Sequence, residues 1–191
     1  MKKIEFLSIL LAAVSILSVS CNKSDEDDPN VIYTSFNKTV IAARPSAIDS
    51  FDINLDTKSD FGIIAGKNAA GDTAAVYIIG IDNGGGYIDS TKNLGTIFEA
   101  VSLPKGQAPE KLGAASKWKK VFFIAAKFNA DILGYAGAGD QFIPLLLRNP
   151  ITGKIHYGWV RVNVSSDYVT FKLIDGAYNV VPDVPVKMGV R

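Results

Sequence analysis

Residues 154–164 read Lys-Ile-His-Tyr-Gly-Trp-Val-Arg-Val-Asn-Val, and residues 167–175 read Asp-Tyr-Val-Thr-Phe-Lys-Leu-Ile-Asp. Both runs are dense in β-branched and aromatic residues, and Ser165, Ser166 and Asp167 mark a chain reversal between them. Side chains of a strand alternate between its two faces. On the first run His156, Gly158, Val160, Val162 and Val164 share one face, while Ile155, Tyr157, Trp159, Arg161 and Asn163 share the other. On the second, Val169, Phe171 and Leu173 stand opposite Tyr168, Thr170, Lys172 and Ile174. Setting the valines against Val169, Phe171 and Leu173 makes a hairpin with one buried face. The remaining face carries Tyr157, Trp159, Arg161, Tyr168 and Lys172, the candidate ligand-binding residues. Aromatics beside cations suit a glycan, by stacking and hydrogen bonding, or a protein partner, since Trp, Tyr and Arg dominate interface hot spots. The competing reading makes Tyr157 and Trp159 packing residues with Arg161 covering a ring at the rim. A long central strand favours that second reading.

The same texture extends along the chain. Strands are predicted over 38–43, 48–56, 60–66, 74–82, 95–103, 120–129, 141–148, 154–164 and 167–175. Turn signals separate them, among them residues 68–72 (Asn-Ala-Ala-Gly-Asp), 82–86 (Asp-Asn-Gly-Gly-Gly) and 149–153 (Asn-Pro-Ile-Thr-Gly). Pro109 and Gly113 leave room for at most one or two helical turns in 107–117. The expectation is an all-β domain, a jelly-roll-like sandwich of two antiparallel sheets, with a β-barrel as the alternative.

Composition narrows the function classes. The chain of 191 residues has 20 Lys plus Arg, 19 Asp plus Glu, and 48% hydrophobic residues. A neutral chain has no bulk attraction for nucleic acid, which argues against that partner. With one Cys and one His, a disulfide framework, a Cys zinc site and a multi-His metal site are all excluded. No Gly-x-Ser-x-Gly, P-loop or His-Glu-x-x-His occurs. Asp82 and Asp89 flank a glycine-rich turn and, with His156, give the alternative of a polysaccharide-acting hydrolase.

Residues 52–61 read Asp-Ile-Asn-Leu-Asp-Thr-Lys-Ser-Asp-Phe, which sets Asp52, Asn54, Asp56 and Asp60 at the spacing of oxygen ligands in a calcium loop. The turn glycine of such a loop is replaced by Thr57 and its final Glu by Ile63. The same residues also fit a strand with Phe51, Ile53 and Leu55 inward and the acidic residues in water. That reading needs no metal and is preferred.

The first thirty residues read as an address. Lys2 and Lys3 precede an apolar stretch over 6–17, shorter than the roughly 20 residues of a spanning helix. Residues 17–21, Leu-Ser-Val-Ser-Cys, resemble a bacterial lipobox, with Ser18 at the place usually held by Leu. The resemblance implies lipidation of Cys21 after removal of 1–20, and a membrane partner reached through buried acyl chains. Residues 22–30 hold no apolar side chain and form an acidic tether, similar to the export tag of surface lipoproteins of some Gram-negative bacteria. A plain spacer on the periplasmic side is the competitor. Residues 31–191 then form a single β domain.

Several segments resemble a β-rich domain of secreted bacterial proteins: the acidic stretch 52–61, Lys117-Trp118, Phe123 to Phe128, His156 to Val162, and Ala177-Tyr178. The likeness spans about 48–180, and its His-Tyr-Gly-Trp-Val-Arg run is its most specific part. It implies β architecture and placement outside the cytoplasm, with no established activity and no catalytic residue to carry over. The combined expectation is a lipid-anchored outer-membrane protein at the cell surface, a non-enzymatic module binding glycan or a protein partner, without a cofactor unless calcium. A hydrolase and a purely structural envelope protein stand as alternatives.

Overall fold

A computed structural model describes residues 28–81, 86–94, 97–111 and 118–191, with the backbone alone for 86–94 and Ile97. The expected leader, Cys21 and most of the tether lie outside the described residues, as does the turn at 82–85. The chain is all-β: β1 (Val31–Ile41), β2 (Ala47–Phe51), β3 (Phe61–Lys67), β4 (Thr73–Gly80), β5 (Gly86–Leu94), β6 (Ile97–Ala100), β7 (Trp118–Lys119), β8 (Val121–Phe128), β9 (Asp131–Gly134), β10 (Gln141–Arg148), β11 (Ile155–Val164) and β12 (Thr170–Asn179). Two sheets form and no barrel closes, so the sandwich expectation holds and the barrel alternative is corrected. The first sheet runs β1-β12-β11-β10, all antiparallel. The second is built on β2-β3-β4-β8, with β9 and β6 also on β8. Strand β5 pairs with β10 on one side and β6 on the other, linking the two layers.

Alternation supplies the core. Val160, Val162, Val164, Phe171 and Leu173 of the first sheet are buried in one cluster with Phe61, Ile63, Val76, Ile78, Phe122 and Ile124 of the second. Their neighbours in sequence point away, because a pleated strand buries every other side chain. Val162 stands across from Leu173 and Val164 across from Phe171, as the hairpin reading expects. Two glycines let the sheet close up. A Cβ on Gly158 would lie 2.6 Å from the carbonyl oxygen of Ala177, and one on Gly176 would lie 2.7 Å from that of Trp159.

Three expectations are corrected. Tyr168 sits in the turn at φ 63°, not on β12, and its ring joins the core rather than the outer face. Strand β2 ends at Phe51, so residues 52–60 are a loop and not a strand. Strand β5 was not expected at all, because its Gly-Tyr-Ile-Asp-Ser-Thr-Lys-Asn-Leu run is polar and lacks a hydrophobic stripe.

A β-bulge sets the chemistry of the outer face. Leu173 opposes Val162 and Asp175 opposes Arg161, so Ile174 has no counterpart on β11. An extra residue reverses the alternation beyond it. Asp175 thereby leaves the core face of Phe171 and Leu173 and joins Arg161 on the outer face.

Candidate functional site

The outer face of the first sheet is roofed in part by the end of the chain. Val186 and Met188 pack on Trp159 and Ala177, with Tyr33, Leu103 and Phe142 around them. Gly106 donates its N–H to the Met188 carbonyl at 2.8 Å, and Met188 donates its own to the Gln107 carbonyl at 2.8 Å. These bonds tie the terminal segment to the loop after β6. Gly189, at φ 71°, lies so near Lys105 and Phe142 that a Cβ there would come within 2.9 Å of the Lys105 side chain.

Beside this roof is a hollow of about 370 Å³, with Phe142, Trp159, Arg161 and Asp175 from the sheet and Lys105 and Arg191 from the flanking segments. That volume falls within the range of small-ligand clefts. Asp175 is its fixed point. Arg161 grips the carboxylate in a fork, Nε to Oδ1 at 3.0 Å and Nη2 to Oδ2 at 2.6 Å. Tyr33 donates its hydroxyl to Oδ2 at 2.8 Å. Arg191 stands 3.9 Å from the same oxygen and lies over the Tyr33 ring, 4.5 Å from its centroid. On the rim, Asp140 is 3.5 Å from Arg161 Nη1. The hydrogen bond to Asp175 holds the Arg161 guanidinium above its ordinary pKa. Burial, then the bond to Asp175, pushes the Tyr33 phenol up.

Of the predicted ligand-binding residues, the structure brings Trp159 and Arg161 into this hollow. Trp159 is only 1% exposed, edge-on to Phe142 at 5.4 Å, so it is a wall and not an open stacking platform. Its indole Nε1 is buried and has no hydrogen-bond partner among the described residues. Tyr157 is buried elsewhere, against Trp118 and Leu146. Lys172 is exposed opposite Asn163, away from the hollow, and Tyr168 is in the core. Sequence reasoning missed Tyr33, Lys105, Phe142, Asp175 and Arg191. Strict alternation places Asp175 on the core face, and the others come from distant segments.

The acidic loop is a second locality. Leu55 and Thr57 have φ 61° and 75°, which curls the chain. Asp52 accepts the N–H of Leu55 and of Thr57, each at 2.7 Å, while Asn54 and Asp56 accept those of Asp56 and Lys58, each at 2.9 Å. Asp60 is buried and accepts the Ile53 N–H at 3.0 Å. The Asn54 amide nitrogen lies 3.4 Å from an Asp56 oxygen and 3.5 Å from an Asp60 oxygen. Burial and the charges of Asp52 and Asp56 push the Asp60 carboxyl up to about 6. Among the described residues no group of three or more His, Cys, Asp or Glu side chains stands together as a metal site.

His156 stacks on Tyr178 at 5.3 Å, with Nδ1 3.1 Å from the Asn179 carbonyl oxygen, to which it donates. Asp82 and the side chain of Asp89 lie outside the described residues. No family model, curated protein or solved structure matches this chain.

Proposed function

We propose that the protein is a lipid-anchored module at the outer face of a Gram-negative outer membrane and that it binds a glycan in the hollow above β11 and β12. The observation that carries the binding reading is the hollow itself: a concave site of about 370 Å³ whose wall joins aromatic rings to a rigidly held guanidinium. Such a mixture of apolar surface and a few oriented polar groups is how small-ligand sites fix and select their ligands. Anchoring is supported by Lys2, Lys3, the apolar stretch and the lipobox-like run ending at Cys21, and the surface reading by the acidic tether. The likeness to a secreted β-rich domain points the same way.

Two measurements test this. Mass spectrometry of the protein from native envelopes should find acyl chains on Cys21, and protease shaving of intact cells should remove the domain. An unmodified thiol, or full protection, refutes the placement. For binding, the detergent-solubilised lipoprotein is applied to a glycan array and positives are repeated with Arg161→Met. Binding that survives the substitution unchanged, or no binding at all, refutes the hollow as a glycan site.

A further inference from the structure

We infer that the domain rests end-on against the bilayer, with Leu55, Ile151, Val180 and Val184 in contact with lipid. The inference rests on the lipid-anchor reading above and adds which end of the sandwich touches the membrane. Eight large hydrophobic side chains are exposed among the described residues. Ile41, Ile48, Val121 and Ile132 belong to four different strands, β1, β2, β8 and β9. The other four share one end of the sandwich, although they come from three separate segments. Ile151, 92% exposed and the most exposed of all, tops the turn between β10 and β11. Leu55 stands in the acidic loop, whose Ile53 side chain lies 3.5 Å from a Cβ placed on Gly158. Val180 and Val184 follow β12, where the Asp183 N–H reaches the Ile155 carbonyl at 2.7 Å. Scattered singly, such residues are ordinary; gathered at one end, they mark a surface for an apolar partner.

The tether decides the partner. The described chain begins at this same end: Val180 donates its N–H to the Asn30 carbonyl at 2.9 Å, and Val31 pairs with Asn179. Asp28 stands seven residues after Cys21, a span of at most about 25 Å. The opposite end of the sandwich, marked by the turn at 68–72, lies a whole strand away, because β3 runs from the acidic loop to that turn. A strand of that length rises about 20 Å, so turning the far end to lipid would use nearly the whole tether. So short a link keeps weak apolar contacts occupied, since the bilayer is present at high effective concentration. The acyl chains and the exposed side chains then enter the same interface. The polar groups at this end suit a headgroup layer. Arg148 and Lys154 flank the turn that bears Ile151 and are exposed, as is Lys58 in the acidic loop. Zwitterionic headgroups offer phosphates to these cations and ammonium groups to Asp52 and Asp56.

The experiment reconstitutes the full acylated lipoprotein in vesicles of phosphatidylcholine and phosphatidylethanolamine. Acylation blocks the Cys21 thiol, so Ile151→Cys or, separately, Ala70→Cys gives a single site for a nitroxide label. Ala70 is exposed in the turn at the far end. Melting curves confirm that both variants fold. Collisions with a water-soluble nickel chelate should be several-fold rarer at position 151 than at position 70, and collisions with oxygen, which concentrates in lipid, should be more frequent. Equal rates at the two positions, with mass spectrometry of the same sample finding acyl chains on Cys21, overturn the end-on contact and leave the anchor standing. A label at position 151 shielded from both reagents overturns it in favour of a second copy of the chain. A protein that does not float with the vesicles and whose Cys21 is unmodified overturns anchor and contact together.

Discussion

Replacing Arg161 by Met leaves the Asp175 carboxylate nearly dry and without its principal partner. The Asp175 side chain is only 4% exposed, whereas that of Arg161 is 29% exposed. Met keeps most of the apolar stem, so the substitution removes the fork with little loss of packing. Asp175 then retains the Tyr33 hydroxyl at 2.8 Å and Arg191 at 3.9 Å. Stripping one partner from a buried ion pair costs roughly 3–5 kcal/mol. The hollow admits water and Arg191 is near, which places this case at the lower end, about 3 kcal/mol. In a domain of this size that corresponds to a fall in Tm of roughly 6–12 °C. Urea unfolding at pH 7 of wild type, Arg161→Met, Asp175→Asn and the double variant reads it directly. The double variant leaves no buried charge unpaired, since Asp140 and Arg191, which also lose a partner, are exposed, and it should recover more than half of the Arg161→Met loss. A loss under about 1 kcal/mol, or a double variant as unstable as the two losses added, would refute the claim that this pair is a buried, coupled charge site.

Asp60 makes a pH prediction. Its folded carboxyl sits at about 6, above the ordinary 3.8, so its charge destabilises the fold above pH 6 and the penalty is relieved as pH falls towards 4. Asp60→Asn, which can still accept the Ile53 N–H, should be more stable than wild type at pH 7 by up to about 3 kcal/mol. The difference should vanish near pH 4; a constant difference across that window would sink the burial argument. Millimolar calcium should leave the wild-type slope unchanged, because no three carboxylates converge in the loop; a calcium-dependent rise in Tm would restore the metal reading of Asp52, Asn54, Asp56 and Asp60. Gly158→Ala must push a methyl to 2.6 Å from the Ala177 carbonyl oxygen, and should cost about 2 kcal/mol in urea unfolding; a neutral result would show that the β11–β12 spacing is not under that constraint.

The core of this fold was legible because its rule is local. Val160, Val162, Val164, Phe171 and Leu173 repeat with period two, and the buried cluster uses all of them on one face. Turn chemistry likewise bounded β3, β4, β10 and β11. The candidate site obeyed the same rule only as far as Trp159 and Arg161. One residue inserted at Ile174 reverses the faces, and no feature of the run Phe-Lys-Leu-Ile-Asp announces that Asp175 will turn outward to Arg161. A bulge is decided by pairing with two neighbouring strands, and Lys38 of β1 meets Leu173 across a shift of its own.

Side-chain alternation thus fixed the β character, the hairpin and its buried stripe apart from Val169, which lies before β12 and is only half-buried, since those depend on neighbours along the chain. Contacts between distant segments decided the rest. Tyr168 turned into the core at a positive φ, Met188 and Val186 closed over Trp159, and β5 found pairing partners that its own polar run does not reveal. An aromatic beside a cation looks the same in sequence whether the face is open or roofed. Only the packing of the chain's end against that face made it a recess with Asp175 at its centre.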